Sequence, residues 1–199
     1  METSKEKDLD VNIKKSKHLR FSINRRPYCQ CEAALDKFET VDTIKILGVI
    51  FQADCSFSMH CKSLLSCLRS LMCMFKDLQL QNVPIEDKQK VFEALVVSRI
   101  RYGLSIYGSD TSALKKVDSF LERCYEKRIC KNRISIYDLL KEEDHRNLMN
   151  ILHNTKHPLH HYITKHKKAR TTRHGFQYTR PNVNTDAFHK SFTNRILPF

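Results

Sequence analysis

Residues 18–23 read HLRFSI, with Leu19, Phe21 and Ile23 alternating against His18, Arg20 and Ser22. A period of two over that length predicts a half-buried β-strand. KILGVIF (45–51) is almost continuously apolar and β-branched, which predicts a second strand, covered on both faces. Between them, RRPYCQCEAALDKFETVDT has no firm period, with room for a third short strand around Ala33 to Phe38. From Ser56 the period becomes 3.6. Phe57, Cys61, Leu64, Leu65, Leu68, Leu71, Met72, Phe75 and Leu78 fall on one face of a helix predicted over 56–80, with Ser56 or Ser58 as N-cap. QNVP (81–84) interrupts the pattern, and Pro84 suits the first turn of a second helix carrying Val91, Phe92, Leu95, Val96 and Ile100. Arg99 lies seven residues after Phe92, so a regular helix sets it on the apolar face, paired with a carboxylate at the core's edge or touching a phosphate. Asp110, Thr111 or Ser112 can cap a third helix lined by Leu114, Val117, Leu121 and Cys124. Ser135 starts a fourth, with Leu139, Leu140, Leu148, Ile151 and Leu152.

The pattern therefore predicts a mainly α protein with a small N-terminal β element: two or three antiparallel strands, then an α-bundle over 56–154 joined by short loops. The expected segments are a disordered 1–10, a β segment over 11–54, a helical bundle over 55–154 and a basic, mostly irregular 155–199. With four Gly, five Pro and no Trp, the composition disfavours turn-rich all-β folds.

Charge changes the picture most. The formal net charge is +13, and its distribution is uneven. Residues 151–199 hold nine Lys and Arg against the single Asp186, so +8 of the +13 lies in the last 49 residues. Concentration of this kind suggests an acidic partner. Lys62, Arg69 and Lys76, each seven apart, form a stripe beside the apolar face of the first helix, rising about 10.5 Å per step.

Candidate chemistry is sparse. Cys55, Cys61, Cys67 and Cys73 recur every six residues, which turns each about 240° from the last on a helix and scatters them. There is no C-x-x-C, and Cys29-x-Cys31 alone is too weak for a metal site, so reduced thiols are expected. His153, His157, His160 and His161 cluster, with His166 and His174 after them. Pro158 breaks any helix that would set two of them on one metal, and solvated or phosphate-facing imidazoles are expected instead. Asp8-Leu9-Asp10 has no apolar strand beneath it to fix a metal pair. G-x-S-x-G, the P-loop and H-E-x-x-H do not occur. The start lacks a secretory pattern and no apolar run approaches about 18 residues. An intracellular protein, nuclear or cytoplasmic and without a membrane partner, is expected.

Several segments, taken in order, resemble the C-terminal part of LINE-type, jockey-like non-LTR retrotransposon reverse transcriptases. Asn12, Lys15 and Ser16, followed by the strand at 18–23, resemble the Asn-x-x-Lys-[Ser/Thr/Cys] segment that follows the family's catalytic aspartates. Lys45, Leu47, Gly48 and Val49, then Phe57, Ser58 and His60, resemble its Lys-x-Leu-Gly-Val strand and Phe-Ser-x-x-His helix start. SRIRYGLSIYGSD is similar to its Tyr-Gly segment, with Tyr107 near a position where relatives carry Trp. TDAFHKSFTNRILPF resembles its Lys-Ser-Phe…Arg…Leu-Pro close, without the Trp usual there.

The resemblance implies a palm end with a primer grip over 11–54, a thumb over 55–154 and a post-thumb region beyond. The family's Tyr/Phe-x-Asp-Asp turn does not occur in the 199 residues. A non-catalytic C-terminal fragment of an RNA-directed DNA polymerase is therefore expected, with no cofactor of its own, although the parent polymerase would use Mg. Its expected partners are an RNA/DNA duplex, held with low sequence specificity, and a palm-containing polymerase segment. The expected nucleic-acid contacts are Lys15, Lys45, Lys62, Arg69 and Lys76, with Lys167, Lys168, Arg170 and Arg173 of the basic tail. Alternative readings are a helical protein-interaction module with a basic tail, or the remnant of a decayed element.

Overall fold

A computed structural model describes residues 12–21, 38–165 and 190–196. The chain divides into two compact units, Met1–His60 and Cys61–Phe199. It is mainly α with a small β element ahead of the helices.

In the first unit, a 3₁₀ turn at Ile13–Lys15, capped by the Asn12 side chain, leads into β1 (Lys17–Leu19). β1 pairs with β2 (Glu39–Val41), and the pairing is parallel, Lys17 opposite Glu39 and Leu19 opposite Val41. β3 (Thr43–Ile46) and β4 (Val49–Gln52) form an antiparallel hairpin. Two expectations are corrected here. Among the described residues the strands are four short ones in two sheets, one of them parallel, rather than one antiparallel set. KILGVIF is not one strand: it turns back on itself at Leu47 and Gly48, whose φ angles are 46° and 87°. Positive φ at both central residues is the geometry that lets a two-residue turn follow the twist of its strands. Leucine seldom adopts that φ, so an apolar residue at the tip hid the turn inside an apparent strand. Val49 is buried, Ile46 is exposed and Leu47 is 86% exposed, so the run is not covered on both faces. The strand expected over 18–23 ends at Leu19, and most of that expected around Ala33 to Phe38 lies outside the described residues, as does 1–10.

Phe51 and Phe57 meet edge to face at 5.7 Å, and Gln52 then closes the unit. Its Oε1 accepts from the Met59 amide at 2.7 Å and the Ser58 hydroxyl at 3.2 Å, so a side chain from β4 satisfies the start of the next helix where a serine cap was expected. Ser56 is engaged with Asp54 instead.

That helix, α1 (Ser58–Leu80), buries Cys61, Leu65, Leu68 and Phe75. It ends on Asn82 in the left-handed conformation, with Val83 N–H donating to Leu78 O and Asn82 N–H to Gln79 O, a Schellman cap. α2 begins after Pro84 as Ile85–Phe92, passes through a π-helical stretch at Glu93–Val97 and continues as Ser98–Arg101. The wider turn, closed by the Ser98 amide on Glu93 O, absorbs one extra residue. Ile100 therefore takes the buried place that a regular helix would give Arg99, and Arg99 is exposed with Nη1 2.8 Å from Cys67 Sγ. The expectation of Arg99 on the apolar face fails for that reason.

Gly103, at φ 71°, ends α2 and starts the single turn α3 (Leu104–Tyr107). The buried Tyr107 hydroxyl donates to Ile100 O, one of the carbonyls left open where the helix ends. Asp110 caps α4 (Thr111–Glu126) by accepting from the Ser112 and Ala113 amides, and Ser135 caps α5 (Ile136–His153), both within the expected choices. Asp118 of α4 accepts from the Ile136 amide, tying the two helices together. Phe75 and Phe92 stack edge to face at 5.7 Å in the core, which Leu104, Leu114, Val117, Leu121 and Ile136 complete.

Of 155–199, residues 155–165 and 190–196 are described. α6 (His160–Lys165) and α7 (Phe192–Arg195) lie within them, and Ile163 and Ile196 bury against Leu148 and Ile151 of α5. Arg195 fixes α7 in place. Its Nε and Nη2 reach Asp144 Oδ2 and Oδ1 at 2.9 and 3.3 Å, and Nη2 also donates to Ser105 O at 2.7 Å. No helix among the described residues is long and apolar enough to cross a membrane.

Candidate nucleic-acid interface

α1 and α4 run side by side in the same direction. Asp110 and Lys116, near the start of α4, act electrostatically on Cys61 near the start of α1. Halfway along, Cys124 Sγ lies 3.9 Å from Met72 Sδ. At the far end Gln79 Nε2 donates to Lys127 O at 2.9 Å and to Arg128 O at 3.2 Å. These are the carbonyls of the residue that caps α4 and of the one after it, so α1 supplies part of the closure at α4's C-terminal end. The rest is a second Schellman cap: Arg128 takes the left-handed conformation at φ 54°, its amide donates to Tyr125 O, and the Ile129 amide donates to Cys124 O. The cap swings Ile129 back beside Cys124.

The result is a groove of about 460 Å³ between the C-terminal halves of the two helices. Met72, Phe120, Cys124 and Ile129 make its apolar floor. Arg69 and Lys76 from α1, and Arg123 and Lys127 from α4, stand around it. Among the described residues no carboxylate lines the groove, and none of these four cations is ion-paired. Four other arginines of this helical unit contrast with them: Arg101 pairs with Glu142 and Glu143, Arg133 with Glu122, Arg146 with Glu143 and Arg195 with Asp144. Four unpaired cations around one concavity make a local positive field, and no carboxylate in its lining offsets it.

The expected contact residues divide accordingly. Arg69 and Lys76 meet in the groove. Lys62 is exposed on α1 but outside it, about 10.5 Å of helix rise before Arg69. Lys15, in the 3₁₀ turn, and Lys45, on β3, are exposed in the first unit. Lys167, Lys168, Arg170 and Arg173 lie outside the described residues. Arg123 and Lys127 were missed. Their signal was present, as two cations at i and i+4 beside Phe120 and Cys124 at the same spacing, but only the neighbouring helix shows which face meets α1.

The histidine cluster is used locally. His153 Nδ1 pairs with Met149 O, His160 Nδ1 with Ile151 O, and His157 Nδ1 accepts from the Leu159 amide. Among the described residues no group of three or more His, Cys, Asp or Glu could hold a metal ion. Burial pushes the thiols of Cys61 and Cys124 up to about 12 and that of Cys130 to about 11, which leaves them protonated and unreactive. Cys67 and Cys73 are exposed on α1, where a spacing of six turns them about 240° apart.

Comparison with protein-family models, with curated proteins and with solved structures found no match to the chain.

Proposed function

We propose that the chain corresponds to the palm end, thumb and post-thumb of a non-LTR reverse transcriptase, and that it holds primer–template nucleic acid by its phosphates while carrying none of the polymerase chemistry. The observation that carries this reading is the groove with Arg69, Lys76, Arg123 and Lys127 unpaired around it and no carboxylate in its lining. Cations that face phosphates give affinity without reading sequence, which fits a protein that must hold any template. Two further features support it. The ordered segments from Asn12 to Pro198 follow the family's order, and the Lys45–Val49 landmark is a hairpin with an exposed Leu47–Gly48 tip, a shape suited to gripping a strand end.

Electrophoretic titration of a short RNA/DNA hybrid at two salt concentrations tests the reading. Retardation that weakens steeply with salt is expected, because phosphate contacts release counterions. No retardation, or an affinity indifferent to salt, contradicts it, and so does tighter binding to an acidic peptide than to the hybrid.

A further inference from the structure

The groove has a property that phosphate binding does not use. A patch that only neutralised a backbone could be flat and polar, yet between these cations lies an apolar floor of one aromatic ring, two sulfur-bearing side chains and an isoleucine. Its volume of about 460 Å³ falls within the range of small-molecule sites and gives room for a base rather than a duplex. Met72, half-buried, offers its polarizable thioether to a flat heterocycle, backed by the nearly buried Phe120, Cys124 and Ile129. Gln79 adds a directional group. Its Nε2 is held on the Lys127 and Arg128 carbonyls, while among the described residues its Oε1 accepts nothing and is open to a base's exocyclic amine.

We propose that this groove receives one unpaired nucleotide, its base lying on Met72, Phe120, Cys124 and Ile129 and its flanking phosphates on Arg69, Lys76, Arg123 and Lys127. The occupant follows from charge complementarity: four cations with no carboxylate in the lining demand an anion, and the floor demands that the anion carry an apolar, planar body. An unpaired nucleotide has both parts at that scale. The proposal rests on the nucleic-acid reading above and adds to it that strands with an unpaired end or bulge are preferred over fully paired ones.

The test compares three hairpin duplexes by fluorescence anisotropy: one blunt, one with a short 3′ overhang, and one whose overhang is abasic, so that phosphates are kept and bases removed. The overhang is expected to bind roughly five-fold or more tighter than its abasic counterpart. Met72→Lys adds a cation while removing apolar floor. It is expected to bind all three hairpins at least as tightly as the parent and to erase the gap between overhang and abasic strand. Met72→Gln, neutral and of similar size, is expected to narrow the gap without raising affinity, and a melt of each variant checks its fold. If overhang and abasic hairpins bind alike, with normal salt dependence, this inference is overturned and the proposed function stands. If none of the hairpins binds, the proposed function falls and this inference with it. Displacement of the overhang hairpin by an acidic helical peptide or anionic vesicles at lower concentration than by free overhang strand would also overturn it.

Discussion

Arg128 holds a backbone conformation that glycine adopts without steric cost, since an L side chain in the left-handed region crowds its own carbonyl. Arg128→Gly keeps the cap of α4 and relieves that crowding, partly offset by the freer unfolded chain. A gain of about 0.5 to 1 kcal/mol is expected in denaturant melts. Arg195 presents the opposite case. Its side chain and that of Asp144 are 18% and 10% exposed, so Arg195→Ala leaves a carboxylate buried without its partner. A loss of about 3 kcal/mol is expected, with most of it regained in the double variant Arg195→Met, Asp144→Leu. Residues of this kind mark where sequence reading stops. Asp110 and Ser135 were readable as caps because their signal is local. Arg99 was misplaced because a π-helical turn five residues wide leaves no trace in hydrophobic spacing, and Arg195 gave no sign of a partner 51 residues away.

Among elements, the β3–β4 hairpin and the first turn of α1 are linked through His60, whose Nδ1 accepts from the Ile50 amide at 3.5 Å. Burial, and then the charge of Lys45, lowers the pKa of His60 below the ordinary histidine value. The native state thus binds fewer protons than the unfolded chain, and stability rises with pH where the two differ. His60 costs nothing above its unfolded value near pH ~6.5 and destabilises progressively as pH falls below that. Melts between pH 7.5 and 5 are expected to show this decline, and His60→Gln, which can still accept from Ile50, to flatten it. A variant that keeps the full decline would assign the effect to other groups. At this scale the helices were legible because each buries an amphipathic face, at a period that only the π-helical stretch of α2 interrupts. The strands were not: three- and four-residue segments give a period of two too few repeats, and the apolar tip at Leu47 joined two of them into one.

For the whole molecule, the excess of charge was plain from the sequence, but its grouping was not. Among the described residues, four arginines of the helical unit are spent on carboxylates, which the sequence could not show, while Arg69, Lys76, Arg123 and Lys127 are not and converge from helices some fifty residues apart. Each cation that touches a phosphate adds roughly one unit to the slope of log affinity against log salt concentration. The most direct measurement is therefore that slope on a blunt duplex, for the parent, for Lys62→Ala, and for the quadruple variant Arg69→Ala, Lys76→Ala, Arg123→Ala, Lys127→Ala. A slope reduced by about two to four units is expected in the quadruple variant, and an unchanged one in Lys62→Ala. A quadruple variant with the parent's slope, or a loss as large from Lys62→Ala alone, would contradict a phosphate-binding groove.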